Sequence, residues 1–372
     1  MFNISLLLSA AVIIICVLAN KLSNKIGMPV LIAFIALGMV FGSDGILKIP
    51  FENYSFAEQI CSVALVFIMF YGGFGTKLSE AKPVAVKALL LSSVGVIFTA
   101  ALTTVFCFFV LKIKLLESML IGAVMSSTDA ASVFSVLRSK NLNLKYNTAS
   151  MLEMESGSND PFAYMLTVIV LSFMKGENSV GQMVYSIVAQ IVFGVLIGFL
   201  IALGAVWFMK HFTFNTSGFD AAFVLGVAVL AYALPTLVGG NGYLSAYIVG
   251  IVLGNQNIHN KKSLVHFFDG MTGLMQMLIF FLLGLLSFPS KILTVLLPSI
   301  FIALFITFVA RPLAVATVLA PFKTKISQYL VVSWAGLRGA ASIVFAIMAM
   351  VGGVTMEQDV FHIAFCVVLF SI

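Results

Sequence analysis

Glu155-Ser156-Gly157-Ser158-Asn159-Asp160 places two carboxylates, two hydroxyls and an amide within Leu152 to Ser172, a stretch that otherwise reads as a membrane-spanning helix. An ionisable side chain in hydrocarbon costs roughly 2.5–3.5 kcal/mol or more, so an intramembrane carboxylate is a functional candidate by default. Asp129, beside Thr128, raises the same question one apolar segment upstream.

The surrounding composition sets the solvent. The chain has 372 residues, 61% hydrophobic and 9% charged, with mean hydropathy +1.14, whereas soluble domains carry about 25% charged residues. It is therefore read as an all-α, polytopic membrane protein. The formal charge of +6 calls for no nucleic-acid partner, because most lysines fall in short loops between apolar segments. Cys16, Cys61, Cys107 and Cys366 sit in apolar runs without metal-ligand spacing and read as small hydrophobes. No cofactor is expected. Residues 2–19 have no basic n-region and no small-residue cleavage site, so they are assigned as a first span.

Hydropathy predicts about thirteen apolar segments near the ~20 residues a bilayer requires. They cover 2–19, 29–47, 57–74, 84–111, 116–137, 149–174, 183–209, 218–237, 241–255, 264–287, 292–320, 327–351 and 359–372. Loops after odd-numbered segments hold thirteen Lys and Arg, from Lys21 to Lys325 and including Lys82, Lys87, Arg138 and Lys140, against five in the alternate loops. The positive-inside rule then puts the N-terminus outside. No loop is long enough for a second folded unit, so residues 1–372 form one membrane domain. The last apolar run stops at Ile372 with no polar flank and reads as cut short.

The fifth segment contains Ser126-Ser127-Thr128-Asp129-Ala130-Ala131-Ser132, a run of small polar residues in mid-span. Such residues compete for the helix's own backbone bonds and tolerate an unwound stretch beside a cavity; small-residue helix packing is the alternative. In the sixth segment, Ser156, Asn159 and Asp160 recur at i, i+3 and i+4 and share one helix face. A hydroxyl, an amide oxygen and one carboxylate suit a monovalent cation, since a divalent site usually recruits more carboxylates. The alternative is a helix start with Pro161 at its first position. Glu155 points away from that face, and Arg311, beside Pro312, is the natural partner for it as a scaffold ion pair. Glu153 is placed nearer the hydrated interface.

Arg338 lies in Trp334-Ala335-Gly336-Leu337-Arg338-Gly339-Ala340-Ala341-Ser342, where two glycines interrupt the twelfth segment. A broken helix is expected there, with a snorkelling anchor as the alternative. The fifth and twelfth segments are seven apart, the offset of two inverted six-span units joined by a linking helix. Half-helix ends expose partial charges that an Asp and an Arg would offset.

Ser126 to Ser135, Leu152 to Pro161, Ala310-Arg311-Pro312-Leu313 and Ser333 to Ala340 resemble, in order and spacing, the signature segments of NhaP-type monovalent cation/proton antiporters. Together with Asp269-Gly270 and Gly250 to Asn255, they are most similar to the bacterial cell-volume-regulation protein A branch. The resemblance implies about thirteen helices with two crossed, unwound helices. It also implies a core (about 84–174 and 292–372) moving against a dimerisation scaffold (about 1–74 and 183–287), in a homodimer of the inner membrane. It further implies ion binding by Asp160, Asn159, Asp129, Thr128 and Ser156, a structural Glu155–Arg311 pair, and Arg338 as the broken-helix charge. Members with Asn-Asp at positions 159 and 160 resemble electroneutral exchangers. The branch often carries C-terminal regulatory regions, which this sequence lacks.

The expected function is exchange of H⁺ for K⁺ or Na⁺ by alternating access. Burial disfavours an ionised carboxylate and a bound cation favours it, so proton and cation exclude each other at Asp160. A cation channel is the rival that oxygen-lined sites also permit. An intramembrane aspartyl protease is the other, but it needs two carboxylates sharing a proton and a Gly-Xaa-Gly-Asp style motif, which is absent.

Overall fold

In hydrocarbon, backbone groups have no water to bond, so long apolar runs close their hydrogen bonds internally as helices. The computed structural model describes residues 2–26, 30–129, 133, 144–176, 179–212, 216 and 218–371. Among these the chain is all-helical. Fourteen helices are followed here: α1 (Phe2–Ile26), α2 (Val30–Phe41), α3 (Tyr54–Gly75), α4 (Leu78–Phe109), α5 (Leu115–Val124), α6 (Thr148–Lys175), α7 (Val180–His211), α8 (Phe219–Leu237), α9 (Gly242–Gly254), α10 (Lys261–Leu286), α11 (Pro289–Phe322), α12 (Ile326–Trp334), α13 (Ala340–Val351) and α14 (Val360–Ser371). Six of them are long and apolar enough to cross a bilayer by length and composition.

Several boundaries differ from the hydropathy estimate. The fourth segment begins at Leu78, so Lys82 and Lys87 are helical and not in a loop. Their long stems let a helix continue past the end of its apolar stretch, and the Lys87 ammonium lies 5.8 Å from the Phe322 ring centre. The fifth segment's helix stops at Val124, while Ala130-Ala131-Ser132, Arg138 and Lys140 lie outside the described residues. The twelfth segment is two helices, α12 and α13, separated by Ala335–Gly339. The sixth, by contrast, agrees with its estimate of 149–174: the helix spans Thr148–Lys175 and runs through Pro161, which sets aside the alternative of a helix start there.

Two helices contain a wide, π-helical turn. In α4 it covers Leu91–Gly95, where Ser92 and Ser93 hydroxyls both donate back to Leu89 O (3.1 and 2.6 Å) and compete with the regular ladder. In α11 it covers Ile306–Ala310, directly before Arg311-Pro312, where a proline ring removes a ladder bond and crowds the preceding turn.

Close helix approach depends on glycine, since lipid removes the hydrophobic drive between helices and packing must replace it. Helix α3 packs against α9, α10 and α13, and α10 also packs against α2. A Cβ on Gly250 would collide with the Phe70 carbonyl, one on Gly254 with the Phe74 carbonyl, and one on Gly284 with the Ile35 carbonyl. Phe268 of α10 closes against Phe70 and Phe74 at 5.0 and 6.5 Å between ring centres. At the opposite end of the bundle from Lys261, Glu117 accepts from the N–H groups of Glu357 and Gln358 (2.9 and 3.0 Å). Nearby, His362 Nε2 accepts from Phe288 N–H at 3.0 Å.

Gly250→Ala is expected to destabilise the detergent-solubilised protein by about 1–3 kcal/mol through overpacking. Gly72→Ala, where a Cβ would meet nothing within 4 Å, is expected to be neutral or to stabilise by about 0.4–1 kcal/mol. Paired thermal melts check this: equal melting temperatures for the two variants would contradict the close α3–α9 approach.

Candidate functional site

The site forms where two helices stop inside the bundle. Helix α5 ends at Val124; Ser126 N–H and its hydroxyl both reach Ala123 O (3.2 and 2.7 Å), closing the helix end. The chain then runs non-helically through Ser127, Thr128 and Asp129. On the other side, Ala335–Gly339 interrupts α12 and α13. The two breaks bond directly, with Asp129 N–H donating to Leu337 O at 2.8 Å.

Charges meet the exposed helix ends. The Arg338 guanidinium, buried, donates through Nη1 to Ser126 O at 3.1 Å and to Ser127 O. These carbonyls follow the C-terminus of α5, where partial negative charge collects. The Asp129 carboxylate lies against Gly339, which precedes the positive N-terminus of α13; a Cβ there would stand 2.6 Å from Asp129 Oδ2. Gly336 likewise leaves room for Arg311, whose Cγ would be 2.8 Å from a Cβ. The two glycines of this segment are thus spacers for two charged side chains.

Helix α6 faces the α5 break. Ser156 Oγ donates to Thr128 O at 2.9 Å, and Asn159 Nδ2 donates to Thr128 Oγ1 and, at 3.4 Å, to Thr128 O. Asp160 Oδ1 accepts from the Ser127 hydroxyl. Asn159 Oδ1 is buried with no hydrogen-bond partner, and Asp129 lies within electrostatic reach of Asp160. Asp160, Asn159, Thr128, Ser156 and Asp129 are therefore brought together, with Ser127 as a sixth member that the residue-by-residue assignment passed over. Its signal was present in the same small polar run, but nothing in that run says which hydroxyl turns toward Asp160. The oxygens gathered here are hard donors around a single buried carboxylate, suited to a monovalent cation rather than to a softer metal. Among the described residues no group of three His, Cys, Asp or Glu side chains could hold a metal ion.

Glu155 and Arg311 stand apart from this oxygen set. Arg311 Nη2 is 2.6 Å from Glu155 Oε1, both side chains being buried, and Arg311 also donates to Val332 O at 3.3 Å. Glu153, by contrast, is exposed. Tyr247 of α9 lays its ring on Gly157, where a Cβ would collide with it, and its hydroxyl donates to Met154 O at 3.4 Å. Asn241 Nδ2 donates to Pro161 O at 2.8 Å, a second tie between α6 and the neighbouring helices.

Residues 8–372 match the profile of the family described as "Sodium/hydrogen exchanger, transmembrane". The chain is 36% identical over 377 residues to "K(+)/H(+) antiporter NhaP2" of Shewanella sp. (strain ANA-3). It is 34% identical over 371 residues to "K(+)/H(+) antiporter NhaP" of Alkalimonas amylolytica. Both alignments take in all of this chain, which spans 65% and 64% of those relatives' lengths. The fold is similar to that of the sodium proton antiporter MjNhaP1 from Methanocaldococcus jannaschii at pH 8, with TM-score 0.89 and 22% identity over 100% of this chain and 98% of that one. The chain is an integral, multi-pass membrane protein and belongs to the transmembrane sodium/hydrogen exchanger family.

Proposed function

We propose that the protein exchanges H⁺ for K⁺ or Na⁺ at Asp160, one for one, across the inner membrane. One observation carries this: a single buried carboxylate in mid-helix, set among neutral oxygens where the end of α5 meets the break between α12 and α13. The names of the 34–36% identical relatives favour K⁺.

Charge balance supports the stoichiometry. Arg311 and Arg338 supply two positive charges; Glu155, Asp129 and Asp160 supply three negative ones when all are ionised. One proton or one monovalent cation at Asp160 brings the cluster to neutrality, and a second charge of either kind would leave it positive. Moving an uncompensated charge through a low-dielectric layer is costly. Only the neutral, loaded forms then cross, so the downhill ion drives the uphill one. Thr128, Ser156, Asn159 and Asp129 surround the cation, while Arg338 holds the α5 break in place.

In the same scheme α12 and α13 are halves of one span, α5 is the first half of its counterpart, and the helices form thirteen spans in two inverted units. The wide turns in α4 and α11, themselves seven spans apart, support that symmetry. Helices α4–α6 and α11–α14 form the moving core; α1–α3 and α7–α10 form a scaffold that pairs with a second copy. The N-terminus lies outside. Glu155–Arg311 is a structural pair within the core.

Asp160→Asn is expected to abolish cation-dependent proton flux in proteoliposomes while leaving the melting temperature close to wild type; exchange at the normal rate would sink the assignment. In the unaltered protein, competition at one carboxylate requires the apparent KM for cation to rise as pH falls, with saturating cation restoring the rate. A KM independent of pH would contradict it. Arg311→Ala is expected to lower stability by about 3–5 kcal/mol, leaving Glu155 buried and unpaired, with unchanged ion selectivity in the folded fraction. A stable variant with altered selectivity would place Arg311 in the ion site.

A further inference from the structure

Asn241 is a buried amide beside the ion site that the exchange chemistry leaves unused. It is 2% exposed and stands at the start of α9, where its side-chain oxygen caps the helix by accepting from Leu244 N–H at 3.0 Å. Its backbone N–H donates to Gln190 O of α7 at 3.0 Å. With the oxygen turned to the cap, Nδ2 is aimed at α6 and donates to Pro161 O at 2.8 Å. An N–H requires the oxygen and a carbonyl requires the nitrogen, so the two bonds fix one orientation of the amide. Its donor arm reaches the residue next to Asp160.

The two ends of this bond belong to different bodies. Helix α9 packs against α3, α7 and α8. A Cβ on Gly194 of α7 would stand 2.9 Å from Asn241 O and one on Gly198 2.9 Å from Ser245 Cα, while Gly250 and Gly254 press α9 onto α3. On the other side, Met154, Gly157 and Pro161 fall at i, i+3 and i+7, on a face of α6 distinct from that of Ser156, Asn159 and Asp160. Asn241 and Tyr247 meet that face through two carbonyls and a glycine, so they touch backbone alone. A carbonyl inside a helix already accepts from the N–H four residues on and keeps a second lone pair. These bonds therefore form and part without unwinding α6, and what they set is the depth of α6 along its axis.

We propose that Asn241 is a positioning residue, a latch that holds the scaffold to α6 beside Asp160 in the access state of this structure and releases when the core crosses. The latch rests on the exchange function and the moving core assigned above. A bond made in one access state and broken in the other biases the balance between them. A change in that balance moves the apparent affinity for the cation in opposite directions at the two membrane faces. Loss of a group that binds the ion would instead weaken binding from both faces.

The test uses the full chain in proteoliposomes of one orientation, with K⁺ titrated on either side at fixed pH. Asn241→Ser keeps a helix-capping hydroxyl that is too short to reach Pro161 O, whereas Asn241→Ala removes cap and latch together. Both variants are expected to raise the apparent KM for K⁺ roughly threefold at one face and to lower it by a similar factor at the other, the scale of one hydrogen bond. The melting temperature is expected to fall further for Asn241→Ala than for Asn241→Ser. Wild-type KM values at both faces in Asn241→Ser would reduce Asn241 to a helix cap and overturn the latch, as would a KM change of the same sign at both faces. Absence of any exchange by the unaltered protein would instead sink the function assigned to Asp160.

Discussion

The non-helical stretch that follows α5 and the one that separates α12 from α13 satisfy each other's backbone, and the oxygen set around Asp160 exists because they do. In a bilayer each unpaired N–H or C=O costs several kcal/mol, so neither break could stand alone. Asp129 N–H bonds to Leu337 O at 2.8 Å, and Arg338 takes the carbonyls of Ser126 and Ser127. Once these bonds are made, the Ser127 hydroxyl and the Thr128 hydroxyl and carbonyl oxygens are left to turn toward α6. The oxygen set around Asp160 follows from backbone accounting before any ion is considered.

The buried charges divide by the kind of partner each meets. Glu155 and Arg311 satisfy one another, a fixed pair whose loss would leave an isolated charge in low dielectric. Arg338 is spent on carbonyls. Asp160 receives a neutral hydroxyl from Ser127 and, among the described residues, no buried cationic side chain, so its charge is left for the proposed proton or cation to balance. That difference in partner, and not burial alone, separates Glu155 from Asp160, the carboxylate for which we propose exchange.

Much of the fold was legible along the chain. Apolar runs of bilayer length gave the order of helices, and runs of Ser, Thr, Asp and Gly inside those runs marked where helices stop. The misplacements have a common cause: hydropathy locates the hydrocarbon and not the helix end. Helix α4 therefore begins at Leu78, ahead of Lys82 and Lys87. Ser127 was hidden among equivalent hydroxyls, and the Leu337 carbonyl is a backbone group with no residue-type signature at all.

By itself, then, the sequence determined that the chain is helical and lives in a membrane, which family it belongs to, and which few ionisable side chains lie within spans. Composition and hydropathy carry the first and last of these locally, and the family rests on the resemblance of its signature segments. Only the tertiary structure decided which oxygens face Asp160, that Gly336 and Gly339 are spacers for Arg311 and Asp129, and that Gly250 is jammed against a neighbouring helix while Gly72 faces open space. All glycines read alike along the chain. Their meaning depends on contacts between segments far apart in sequence, and helix packing alone sets those.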